Sequence, residues 1–170
     1  TTAELLALWA AQKAGATVER DVVTHGFTYL RKSATTEGSF RYSLSVKTSE
    51  GTFALTGGSV AALLLTRDTG SAEVRGGLAY LMKHKPTGGV PTEQRALYYF
   101  YANFHAALAM RLAEERFGGE WQPLIGAELR AAQQADGSWA REYDPAYCTA
   151  FATLILQMPG GGLQGFKRNS

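Results

Sequence analysis

An all-α fold assembled from helical hairpins is what this sequence predicts, and three observations predict it. Apolar residues recur at three- and four-residue spacing through most of the 170 residues, which is the period of a one-sided helix. Glycines and prolines fall between those segments and rarely inside them, where they stop helices. A motif near residue 30 also returns near residue 129, with a fainter copy between them, the pattern of a repeat built from one supersecondary unit. With 45% hydrophobic residues and no linker dividing the chain, a single domain over 1–170 is expected.

The elements follow in order. Glu4 to Gln12 carries Leu5, Leu8 and Trp9 at helical spacing and stops near Gly15. Thr17 is the expected cap of a second helix, with Val22, Val23, Phe27 and Leu30 as its apolar side. A third runs from Ala54 to Leu65 and stops at Gly70; Ser71 then caps a fourth, with Val74, Leu78 and Leu81 on one face and Pro86, Gly88 and Gly89 closing it. The fifth, from Glu93 to Phe117, is the longest, and a sixth from Gln122 to Gln134 tolerates Pro123 in its first turn. The seventh spans Tyr147 to Met158 before Pro159 and three glycines. One segment departs from this period. Phe40, Tyr42, Leu44 and Val46 alternate before a turn at Glu50-Gly51, which reads as a β-hairpin, marginal by itself and so expected as an ordered loop.

The repeat is most visible in Leu129-x3-Gln133-x3-Gly137-x-Trp139 set beside Leu30-x3-Ala34-x3-Gly38-x-Phe40, each position 99 residues after its counterpart. Val23, Gly26, Tyr29 and Leu30 recur 51 residues later as Val74, Gly77, Tyr80 and Leu81, ending in Gly89. The unit of about 50 residues matches one helical hairpin. Within it, Gly137 supplies a positive φ that ends a helix, Gln133 reaches backbone groups left open in the last turn, and Trp139 folds back as an aromatic plate.

The spacing from Leu129 to Trp139 resembles the QW motif of squalene-hopene cyclases and related terpenoid cyclases. The segments "YYFYANFHAALAM", "AAQQADGSW" and "YCTAFATLILQMP" are similar to bacterial cyclase-like repeat proteins of unassigned activity. The resemblance spans most of the chain and extends to protein prenyltransferase β-subunits. It implies a partial or complete α/α toroid, a ring of helical hairpins. The first copy has Ala34 where the motif has Gln and Phe40 where it has Trp. A full ring takes about five to seven hairpins, and truncated arrays expose apolar faces; this chain supplies roughly three and a half. It is therefore expected to be a C-terminal portion of a longer protein, or to complete a ring by homo-oligomerisation.

The chemistry that the resemblance implies finds little support in the residues. Cyclases of that family protonate their substrate from an Asp-rich motif, whereas Asp21, Asp68, Asp136 and Asp144 are scattered. Asp136 fits an Asp-Gly turn and Asp144 a helix cap before Pro145. Prenyltransferases hold zinc with Asp, Cys and His. Asp144 and Cys148 lie four apart, with His105 as a third candidate, but a lone Cys between Tyr147 and Thr149 reads as a small core residue. Nor is Cys148 followed by the Gly-Glu-Gln of thioester-bearing toroids. No catalytic residue, metal or cofactor is therefore expected. Gly57-Gly58 and Gly76-Gly77 lack the Gly-Lys-Ser/Thr of a phosphate loop and read as close helix packing. Arg111, Glu114, Glu115 and Arg116 read as a solvated helix end.

The most suggestive stretch is aromatic: Tyr98, Tyr99, Phe100, Tyr101, Phe104 and His105. A helix apolar on all sides is buried or lines a cavity. Core packing is the plainer reading, and His105 is the more ordinary as a satisfied core histidine. The functional alternative makes Tyr98, Tyr99, Tyr101, Phe104 and His105 the wall of a pocket for an isoprenoid-like apolar molecule or a protein partner. A net charge of +2 with 19% charged residues gives no field for nucleic acid or anionic membranes, and the Lys167-Arg168 pair is too short to create one. The apolar run from Ala96 to Met110 is broken by Asn103 and His105 and is shorter than the roughly 20 residues of a membrane span. The single cysteine excludes an internal disulfide framework and fits a reducing, cytoplasmic compartment. A cyclase or prenyltransferase whose catalytic part lies upstream of Thr1, and an oligomerisation scaffold, are the rival expectations.

Overall fold

In the computed structural model, residues 1–46, 50–87, 93–96, 98–113, 115–141 and 143–159 are described. Their architecture is mostly helical. The helices are α1 (Thr2–Lys13), α2 (Arg20–Ser33), α3 (Phe53–Leu65), α4 (Ala72–Lys83), the single turn α5 (Glu93–Ala96), α6 (Tyr99–Leu112), α7 (Glu115–Ala131) and α8 (Pro145–Gln157). Between α2 and α3, strands β1 (Phe40–Arg41) and β2 (Gly51–Thr52) pair antiparallel, Phe40 facing Thr52 and Arg41 facing Gly51.

Helix packing follows one scheme. α1 packs on α2 and α3, α3 on α4 and α6, and α6 on α7 and α8, with α3 against α6 the most extensive contact. The chain thus lays α1, α3, α6 and α8 in a row and returns after the first three of them through α2, α4 and α7. Because α3 and α6 hold the middle of the row, most of their residues are buried, which explains a sequence apolar on most sides. Their backbones nearly touch at Gly57, where a methyl group would sit 2.7 Å from the Ala106 nitrogen. Close packing also explains Gly77, whose missing side chain leaves room for Val60 of α3 and the Phe40 ring. Phe53 and Trp121 stack at 6.1 Å between ring centres within the same core.

The repeat is a repeat in three dimensions. Gly38 and Gly137 have φ of +86° and +85°. In the first copy, Thr35 N–H donates to the Ser39 carbonyl (2.8 Å) and Gly38 N–H to that of Thr35 (3.1 Å); in the second, Gln134 pairs with Ser138 (2.9 Å) and Gly137 with Gln134 (2.9 Å) in the same way. Both aromatic plates are buried, and each is fastened through its backbone N–H to a threonine on the next row helix: Phe40 to Thr56 Oγ1 and Trp139 to Thr149 Oγ1, both at 3.0 Å. The Trp139 indole N–H also donates to the Leu129 carbonyl (2.8 Å), and the Gln133 amide to that of Gly137 (2.8 Å). Leu30 and Leu129 are both buried. The Gly89 expected to end the middle copy lies outside the described residues, as do the closing Gly88 and the glycines after Pro159.

Several boundaries differ from the sequence expectation. The hydroxyl of Ser71 accepts from Val74 N–H and the carboxylate of Asp144 from Ala146 N–H, so these caps are as expected. Thr17 caps nothing: α2 starts at Arg20 behind Glu19, and Asp21 supplies the negative charge that its first turn favours. Val22 on its expected apolar side is exposed, while Val23 and Phe27 are half-buried and Leu30 buried. α3 ends at Leu65 as expected, but it is closed by Thr66 and by Arg67 at φ +66° rather than by Gly70. The long fifth helix is broken. Tyr98 takes a left-handed φ of +53° before α6, and an extended Ala113 ends α6 so that α7 can fold back on it. Consequently α7 begins at Glu115, and Pro123 lies inside it, four residues after Gly119, whose carbonyl loses its usual N–H partner there. The hairpin's Gly51 is within β2 rather than at the turn, and Tyr42, Leu44 and Val46 are exposed; residues 47–49 lie outside the described set.

Candidate aromatic binding face

Helices α6 and α8 run side by side in the same direction, since Tyr98 meets Tyr143 before their first turns and Phe104 meets Phe151 further along. Aromatic side chains line this seam in a continuous series. Tyr98 stacks on Tyr143 at 6.1 Å between ring centres, Tyr143 contacts Tyr147 at 5.0 Å, and Tyr147 meets Phe151 edge-on at 4.9 Å. Phe151 meets both Phe104 (5.4 Å) and Tyr101 (6.0 Å) edge-on, and His105 lies against Tyr101 at 4.2 Å. Edge-to-face and offset rings of this kind fix one another's angle. The series is not sealed in the core: Tyr98 and Tyr143 are 46% and 42% exposed, and Tyr101, Phe104, Tyr147 and Phe151 are half-buried.

Four of the five expected pocket residues therefore meet along this seam: Tyr98, Tyr101, Phe104 and His105. Tyr99 does not. Two residues from Tyr101, it lies across the helix and is buried toward α7, where its hydroxyl donates to Glu128 Oε1 at 2.6 Å. Burial and that carboxylate push its phenol pKa up. His105 is buried, with Nδ1 2.9 Å from the Tyr101 carbonyl. Burial pulls its pKa below the usual 6.5, so it is neutral at pH 7.

Sequence reading missed Tyr143, Tyr147 and Phe151. Their four-residue spacing puts them on one stripe of a helix and its entry turn, matching the stripe of Tyr98, Tyr101, Phe104 and His105 on α6. The signal was present as a spacing on each helix, not as a run of adjacent aromatics.

Behind the seam lies a second group the sequence reading did not find. Arg95, Asn103 and Glu128 are all buried. Arg95 Nη2 pairs with Glu128 Oε1 at 2.7 Å, and Arg95 also donates from Nε and Nη2 to Asn103 Oδ1 at 3.4 and 3.3 Å. Asn103 Nδ2 donates to the Tyr99 carbonyl at 2.8 Å, and the Arg141 guanidinium sits 4.9 Å from the Tyr99 ring centre. These contacts tie α5, α6 and α7 together around the left-handed corner at Tyr98, and so set the direction in which α6 presents its rings. Glu128 was legible in principle, as a charge on the otherwise apolar stripe of Trp121, Ile125 and Leu129.

Beside Tyr101 opens a cleft of about 360 Å³ lined by Glu4, Tyr29, Arg41, Leu55 and Ser59 among others. It gives the aromatic face a polar end. Arg41 Nε is buried there without a hydrogen-bond partner, and burial with the nearby Glu4 carboxylate raises the Tyr101 phenol pKa.

Three of the four aspartates have structural partners. Asp68 holds Arg31 and the Ser71 N–H, Asp136 accepts from Ser138, and Asp144 caps α8. Among the described residues no three His, Cys, Asp or Glu side chains group to hold a metal, and Cys148 is a buried thiol packed in the main core. Arg111, expected at a solvated helix end, is half-buried beside a second cleft; Glu114 lies outside the described residues. Among the described residues no helix is long and apolar enough to cross a membrane. Compared with known proteins, the chain matches no family model, no curated protein and no solved structure.

Proposed function

We propose that this chain is a cyclase-like hairpin-repeat domain of α/α-toroid type that binds an apolar, isoprenoid-like molecule on the face of Tyr98, Tyr101, Phe104, Tyr143, Tyr147 and Phe151, without itself catalysing a reaction. The observation that carries this reading is the unbroken series of half-exposed rings along the α6–α8 seam. Aromatic faces bury hydrocarbon without requiring polar partners, and their negative π-faces favour the polarised C–H edges of an unsaturated chain. The ligand's polar end goes to the cleft at Arg41, Ser59 and Glu4, following the usual division of a site into an apolar body and a few placed polar groups.

The test is a calorimetric titration of the chain with farnesol. Tyr147→Ala and Phe151→Ala are expected to weaken binding about tenfold each, on the order of the 1.4 kcal/mol that one lost ring contact is worth. Tyr99→Phe, behind the seam, is expected to leave affinity unchanged. Equal affinity in all three variants sinks the reading.

One observation favours a second role, association. The turn at Gly38 is packed on α4, whereas at Gly137 a methyl group would have only Gln133 of its own motif within 4 Å among the described residues. A repeat that packs in one copy and stands open in the other suits a further helix or a second copy seated there, and a concentration-dependent mass by sedimentation is its expected sign.

A further inference from the structure

At the other end of the α6–α8 pair, away from the aromatic face, lies a cleft of about 630 Å³ between α6, α7 and α8. Its size is that of a small-molecule site. The lining divides by chemistry. Pro123, Leu156 and Pro159 supply accessible apolar contact, Ala107, Met110 and Met158 being buried, whereas the charged groups are Arg111 and Arg130, with no carboxylate among the described lining residues. Neither arginine has an ion pair among the described residues. Trp121 also lines the cleft, and its buried indole N–H has no hydrogen-bond partner. The Gln122 amide is committed to the Ile155 carbonyl at 2.8 Å and holds α7 to α8 across one side.

We propose that this cleft binds an amphiphilic anion, a carboxylate or phosphate head group on a short hydrocarbon tail. Guanidinium groups present N–H donors in a fork that fits two oxyanion oxygens. Two guanidinium forks with no ion pair among the described residues, in one cleft with the apolar Pro123, Leu156 and Pro159, match such a molecule at both ends. The proposal is independent of the aromatic face, since the two sites share no residue.

Decanoate, decyl phosphate and decanol, each kept below its micelle concentration, are titrated into the full chain and followed by the indole N–H resonance of Trp121, assigned with Trp121→Phe. The anionic heads are expected to bind at least about tenfold more tightly than decanol, with the Trp121 resonance moving and the face aromatics unmoved. The better of the two heads identifies the oxyanion. Arg111→Gln with Arg130→Gln, both on solvent-accessible side chains, is expected to abolish the preference while decanol binding persists. Equal affinity for all three ligands, no binding, or a preference that survives the double substitution overturns the proposal. Unchanged circular dichroism of the double variant keeps a folding defect from imitating success.

Discussion

Gly38 and Gly137 share one left-handed backbone conformation, 99 residues apart, but only Gly38 is enclosed: a methyl group there would lie 2.3 Å from the Gly76 carbonyl oxygen, while at Gly137 its nearest neighbour is Gln133 Nε2 at 3.9 Å. The same local sequence thus serves two packing environments. The turn is set locally, by a glycine and its short-range hydrogen bonds. What covers it is set by the rest of the chain.

Alanine at these two sites separates the local term from the packing term. Gly137→Ala costs about 1–2 kcal/mol, the penalty of a left-handed L-residue. Gly38→Ala adds an overpacked contact and costs about 3–4 kcal/mol in total. Urea denaturation of both variants checks the difference, and equal losses would mean that the α4 contact is absent.

The threonines that hold the aromatic plates supply a second comparison. Thr56→Val leaves the buried Phe40 N–H without an acceptor, and Thr149→Val does the same to the partly covered Trp139 N–H. A loss of about 1–3 kcal/mol is expected for Thr56→Val, and a smaller one for Thr149→Val, where water has access. Thermal unfolding with the heat capacity held common reads both.

The buried Arg95–Glu128 pair yields a third. Arg95→Met alone leaves a buried carboxylate and is expected to cost about 3–5 kcal/mol. Arg95→Met combined with Glu128→Leu removes both charges and costs far less than the sum of the single changes. A double-mutant cycle by chemical denaturation measures the coupling, which would vanish if the two side chains were apart in solution.

Stability also depends on pH through His105. Its folded pKa lies below the ordinary 6.5 because burial penalises the charged ring. Above 6.5 both folded and unfolded forms are neutral. As pH falls through 6.5 the unfolded chain takes up a proton that the folded chain refuses, so stability drops, and the loss levels off once pH passes the lower folded pKa. His84 is shifted the same way, so the readout is the difference between wild type and His105→Gln: the variant should show a shallower decline between pH 7 and pH 5. An identical slope would mean that His105 is solvated.

Much of the fold was legible because its signals are local. Ser71 and Asp144 cap helices with their own side chains, and Gly38 and Gly137 are glycines because the backbone there is left-handed. The break at Tyr98 carried no such mark, since nothing in its own chemistry favours φ +53°. That corner is held by Tyr143, which follows 45 residues later, and by the network behind it. The reversal after Ala113 was equally silent, because helix-compatible residues run on through it with no proline before Pro123. Of the candidate face, Tyr98, Tyr101, Phe104 and His105 could be read from one helix. Tyr143, Tyr147 and Phe151 required pairing that helix with α8, and Tyr99 was drawn in by adjacency in sequence although its side chain lies across the helix. Glu128 and Arg95 are visible as a pair only once α5 and α7 are brought together.

The most direct test of ligand binding on the aromatic face is an aromatic-side-chain NMR titration of the chain with farnesol. Saturable shifts at Tyr101, Phe104, Tyr147 and Phe151, with Tyr99 and Phe53 unmoved, are the predicted result. Shifts absent from those four rings, or spread equally to Tyr99 and the Phe53–Trp121 core, would contradict it.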